Sequence, residues 1–260
     1  MKTFMKFILS LLVGITLIVV GVSMGGLNEL SHIFPDLHHI HFNFDDQLKN
    51  QSITCSSLIQ SFDIDIHNAH IQFKEYDGHH IQIDAQNVND SFTMNESKGE
   101  IVIKQSQIIN LSSHNMPTIT IHVPHHYQAQ LIDVDAGIGY VKMSDIKAHT
   151  LDVDQGAGVF ELNNAYVNEL IVDTGLSVSN IRNLNCVNKM DIDVGMSVMN
   201  IKMINNLDNY DRKVDVGFGS VKINHEKYAG FSSNHHQNNY NNKCIEVNCG
   251  FSAVDIKGGF

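Results

Sequence analysis

The chain has 260 residues, 43% of them apolar and 17% charged, with 17 basic against 28 acidic side chains and a formal net charge of −11. That acidic excess excludes nucleic acid as a partner and disfavours anionic lipid or wall polymer, so cations and cationic molecules are the natural counterpart. Tryptophan is absent, which weakens a carbohydrate-stacking platform.

Lys2 and Lys6 precede an uncharged run, FILSLLVGITLIVVGVSMG, over 7–25. At about 1.5 Å rise per residue it spans roughly 28 Å, close to the ~30 Å hydrocarbon core of a bilayer. The run predicts one N-terminal transmembrane helix over 7–25, with 1–6 as a cytoplasmic tail and the rest of the chain extracytoplasmic. A cleaved signal peptide is the alternative, since Ser23 and Gly25 suit a small-residue cleavage site. Residues 26–53, with Pro35, Asp45 and Asp46, read as a stalk or linker. An extracytoplasmic repeat domain is expected over 54–260.

Short alternating stretches open that domain: FDIDIHNAHIQF, HIQIDAQ, EIVIKQ and TITIHVP. Six copies of one phrase follow, LIDVDAGIGYVKM, TLDVDQGAGVFEL, LIVDTGLSVSNI, MDIDVGMSVMNI, RKVDVGFGSVKI and CIEVNCGFSAVDI. Their corner glycines are Gly137, Gly156, Gly175, Gly195, Gly217 and Gly250. Three residues earlier stands a β-branched column, Val134, Val153, Val172, Ile192, Val214 and Val247, suited to a half-buried strand. Two residues earlier stand Asp135, Asp154, Asp173, Asp193, Asp215 and Asn248, which period-2 alternation turns to the opposite face. A small residue follows each corner at Gly139, Gly158, Ser177, Ser197, Gly219 and Ser252, then a second apolar column from Met143 to Ile256.

Each copy reads strand, glycine corner, strand, because glycine reaches positive φ without a Cβ clash. Copies this short must stack to bury a core. The expected architecture is therefore all-β, a β-solenoid of short repeated strands; an antiparallel meander is the competing topology. Residues 224–242, between the fifth and sixth copies, are rich in Asn and His and read as an exposed loop.

The phrase ITIHVPHHYQAQLIDVDAGIGYVKM over 119–143, with the repeated V-D-x-G-x-G/S units and the apolar N-terminal run, resembles the bacterial putative-adhesin domain of unknown function. That family includes a membrane-anchored protein encoded beside the Gram-positive cell-envelope stress system. The resemblance implies an extracytoplasmic β-solenoid linked to adhesion or to the envelope, with a cell-envelope protein or polymer as partner, and it carries over no catalytic residue.

Three constellations bear on chemistry. The aspartates, once per copy, would stand about 4.8 Å apart in register. They are expected to accept backbone N–H groups at their own corners, as Asx-turns do. The alternative is that Asp135, Asp154, Asp173, Asp193 and Asp215 supply oxygen ligands to Ca²⁺, although the calcium-binding nonapeptide is absent. The 16 histidines, clustered at His38, His39 and His41, His67 and His70, His79 and His80, His125 and His126, and His235 and His236, lack familiar zinc-ligand spacing and read as solvated.

Catalytic signatures such as GxSxG and HExxH do not occur, so no catalytic residue and no cofactor are expected. A carbohydrate-active enzyme on a β-helix scaffold is the alternative to a non-enzymatic interaction module. Cys55, Cys186, Cys244 and Cys249 allow three disulfide pairings. Cys244 with Cys249 is discounted, since five strand residues span roughly 16 Å and a bridge about 7 Å. Free buried thiols are expected for at least part of the set.

Overall fold

The computed structural model describes residues 48–56, 58–105, 116–237 and 242–259. Alternating β-branched and polar residues commit most of them to strand: β1 (Lys49–Cys55), β2 (Ser61–Tyr76), β3 (Ile81–Val88), β4 (Phe92–Ser97), β5 (Glu100–Gln105), β6 (Thr118–Pro124), β7 (Ala129–Val194), β8 (Val198–Met203), β9 (Asp211–Ile223), β10 (Glu226–Gln237), β11 (Cys244–Cys249) and β12 (Ala253–Gly258). A 3₁₀ turn, Leu207–Asn209, leads into β9. The chain is all-β over these residues. β1 begins inside the segment read as stalk and pairs antiparallel with β3.

β2 is a further copy of the phrase without its glycine. It pairs parallel with β7 in register, Asp63 opposite Asp133, Asp65 opposite Asp135 and Phe73 opposite Met143. β7 carries the next three copies and the first half of the fourth as one continuous strand. The valine column and the second apolar column are both buried, and with Ile64, Phe62 and Phe73 they form a single core. Phe62 meets Phe73 and Tyr127 edge to face.

The expected β-solenoid is corrected. Five parallel strands pair around a closed barrel: β7 with β11, β11 with β9, β9 with β12, β12 with β8, and β8 again with β7. The copies also leave chain order. Cys244 lies opposite both Lys189 and Asp211, so the sixth copy is inserted between the fourth and the fifth. Alternation within a copy sets its register but not its neighbour, and the long connection before Gly250 gives the chain enough length to return.

Most of that connection is strand. β10 pairs antiparallel with β9 from Glu226 opposite Ile223 to Gln237 opposite Arg212, which corrects the loop expected over 224–242. An uncovered β9 edge would leave a row of backbone donors and acceptors without partners. At that end Arg212 replaces the apolar residue of its column. It is 3% exposed and pairs with Glu226 at 3.0 Å.

The helix expected over 7–25 falls outside the described residues. Among those described, no helix is long and apolar enough to cross a membrane.

Candidate functional site

The aspartate columns come together as one outward face. In spatial order the column two residues before each glycine runs Asp65, Asp135, Asp154, Asp173, Asp193, Asn248 and Asp215. A parallel column beside it contains Asp63, Asp133, Asp152, Asp191 and Glu246.

Lysines neutralise this face at its first strand and in the outer column of the fourth and sixth copies. Lys104 sits 3.1 Å from Asp63, Lys189 2.9 Å from Asp191, and Lys213 pairs with Glu246. Among the described residues no basic side chain forms an ion pair with Asp133, Asp135, Asp152, Asp154, Asp173 or Asp193. Partial desolvation, then the neighbouring carboxylates, hold Asp133, Asp135, Asp152 and Asp173 above the usual carboxylate range. Among the described residues none of these four carboxylates accepts a hydrogen bond from a corner N–H group, which would favour the charged form.

The corners are fastened from inside instead. Ser252 Oγ accepts from Ser197 N–H at 2.8 Å and donates to the Gly195 carbonyl at 2.9 Å. Ser197 Oγ accepts from Ser177 N–H at 3.0 Å. Gln155 Nε2 donates to the Gly139 carbonyl at 3.0 Å. Small size was legible at Ser177, Ser197 and Ser252, whereas their hydroxyl ladder was not.

Glycine at the corners has a different cause from the one expected. Positive φ occurs at Gly139 and Gly158. At Gly175 an added Cβ would lie 2.5 Å from the Gly156 carbonyl oxygen, so close approach of neighbouring copies requires glycine there. Gly137, Gly156, Gly195 and Gly250 are equally crowded by the adjacent backbone, and Gly217 less so. A second corner uses Asp145, Asn164 and Asn183 at positive φ. Their side chains form a ladder, Asn164 to Asp145 at 3.1 Å and Asn183 to Asn164 at 2.9 Å. Its signal was available, an Asx residue eight positions after the glycine in each of the first three copies.

Other chemistry is sparse. His125 lies between Glu75 and Asp77, at 2.8 and 2.9 Å, and these hydrogen bonds raise its pKa, Glu75 first. All four cysteines are free, and burial pushes the Cys186 thiol up to about 12. Among the described residues no three His, Cys, Asp or Glu side chains converge as a metal site. A cleft of about 620 Å³ at the β9 end is lined by Asp208, Arg212, His225 and Glu226, and its one buried base is already paired with the two acids.

No family model matches the chain, and no curated protein matches it. Among solved structures, a "putative cell adhesion protein" from Clostridium sporogenes superposes with a TM-score of 0.50 at 16% identity, over 82% of this chain and all of that one. This chain shares that protein's fold. A "putative adhesin" from Bacteroides fragilis matches at a TM-score of 0.35 and 11% identity, over 82% of this chain and 97% of that one. A "putative lipid binding protein" from Parabacteroides distasonis matches at 0.25 and 9%, over 80% and 96%.

Proposed function

We propose that this chain is a non-enzymatic interaction module displayed outside the cytoplasm, which holds an external cationic partner on its acidic sheet face. The observation that carries the reading is the central stretch of that face: six carboxylates in register that pair with no basic side chain among the described residues, on a backbone fixed by hydrogen bonds on both sides. Such an array draws cationic groups by its summed potential and releases repulsion when it is occupied. A lysine-preceded apolar N-terminal run supports export. The resemblance to adhesin-type domains supports a place in the cell envelope, and it is the sole support for a link to an envelope stress system.

The test is co-sedimentation of the purified full-length chain with isolated bacterial envelopes in low and in high salt. Binding should weaken as salt rises, and it should be lost when Asp135, Asp154, Asp173 and Asp193 are replaced together by Asn. Salt-independent binding that survives the replacement would overturn the reading. Release of sugar fragments from envelope polysaccharide would favour an enzyme instead.

A further inference from the structure

Beside the acidic columns runs an exposed apolar ridge. The residue after each corner glycine is Ile138, Ala157, Leu176, Met196, Phe251 and Phe218 in spatial order. Ile138, Leu176, Phe251 and Phe218 are 42%, 36%, 45% and 45% exposed. The Phe218 and Phe251 rings lie 5.2 Å apart, tilted by 38°. On the flank away from the aspartates, Val178 and Val198 widen the strip at 48% and 49% exposure. Hydrophobic side chains scattered singly on a surface are ordinary, whereas a contiguous strip marks an interaction site.

We propose that this ridge and the acidic columns form one docking track for a basic amphipathic helix on a protein partner. The inference rests on the interaction reading above and names the partner's chemistry. Charge decides the sign of the partner: Asp154, Asp173 and Asp193 run alongside the strip and lack ion pairs among the described residues, so the helix must carry Lys or Arg on the flank facing them. Period decides its conformation. Successive copies place an apolar side chain and a carboxylate about every 4.8 Å. A helix repeats its face about every 5.4 Å, so over four steps the mismatch accumulates to only about 2 Å. An extended strand repeats its face about every 6.8 Å and falls out of step by about 2 Å at every copy. Four steps cover roughly 19 Å, the length of about 13 helical residues. The partner's apolar stripe would lie along the ridge, as in other helix-on-surface recognition.

The test uses three fluorescent 14-residue probes at physiological salt with the full-length chain: a Leu/Lys peptide patterned as an amphipathic helix, a scrambled peptide of the same composition, and the patterned peptide with Ser for Leu. The patterned probe should bind at least tenfold tighter than either control and gain helical circular dichroism on binding. Leu176→Ser with Phe251→Ser should erase that tenfold advantage while leaving the weak binding of the Ser probe intact. Ile138→Ser with Val178→Ser serves as a second surface variant should the first not fold.

Equal binding of patterned and scrambled probes would overturn the helix track yet leave the cationic-partner reading standing. Failure of all three probes to bind would remove both. Capture of zwitterionic vesicles through the ridge, lost in Leu176→Ser with Phe251→Ser, would replace the helix with a membrane surface.

Discussion

The two faces of the same strands are built on opposite terms. Inward, Val153, Val172 and Ile192 stack as a closed apolar column, and Ser177, Ser197 and Ser252 satisfy the corner backbone. Outward, Asp154, Asp173 and Asp193 stand in the same register, and among the described residues neither a backbone donor nor a lysine offsets them. The inner face carries the stability, and the outer face is held at a cost that a ligand can relieve. Sites kept for function commonly stand in such tension with stability.

Inner-face substitutions should therefore hurt and outer-face ones should not. Val153→Asp strands an unpaired charge in the core and should cost more than about 4 kcal/mol in denaturant unfolding. Equal tolerance of Val153→Asp and Asp173→Val would break the comparison. Ser252→Ala leaves the buried Ser197 N–H without its acceptor, a loss of about 1–3 kcal/mol. Gly175→Ala drives a Cβ against the Gly156 carbonyl and should cost about 1–3 kcal/mol. At Gly217 the nearest oxygen would be 3.3 Å from the added Cβ, so Gly217→Ala should cost under about 1 kcal/mol. A larger loss at Gly217 than at Gly175 would show that crowding between copies does not explain the glycines.

The smallest effect is on pH dependence. Asp133, Asp135, Asp152 and Asp173 have pKa values raised above the ordinary 3.8. A carboxyl with a raised folded pKa binds protons better folded than unfolded, so its contribution to stability grows as pH falls through that raised value toward 3.8. His125, raised above 6.5 by Glu75 and Asp77, acts the same way: its stabilisation is full below 6.5 and lost as pH rises through its folded value. His122, lowered chiefly by desolvation, opposes them as pH falls below 6.5. Glu226, lowered chiefly by its Tyr228 hydrogen bond, also loses stability on acidification, but only toward pH 4.5, so Tm at pH 5 should modestly exceed Tm at pH 8. A steady fall in Tm on acidification through that range would contradict the assignment of an unrelieved acidic face.

Column membership was legible in the sequence because period-2 alternation and a fixed distance from the glycine settle which residues share a face. Val134 through Val247 are all buried, and the aspartates face outward. Connectivity was not legible. Copies with the same phrase are interchangeable as neighbours, so nothing local places Cys244 between Lys189 and Asp211, or closes β7, β11, β9, β12 and β8 into a barrel. β10 was hidden because Asn and His mask a strand whose reason for existing is the β9 edge it covers. At the candidate site, the acids could be read but their lack of partners among the described residues could not, since Asx-turn chemistry was the expectation until the serines were seen to fasten the corners.

The most direct test of the two-faced account is a paired measurement on the chain with Asp135, Asp154, Asp173 and Asp193 all replaced by Asn: its Tm in the absence of any ligand and its binding to bacterial envelopes, in the same buffer. The account predicts that Tm rises while binding is lost, because the carboxylates repel one another in the free protein and serve only the partner. A fall in Tm with binding retained would contradict it, and would return the aspartates to a structural role.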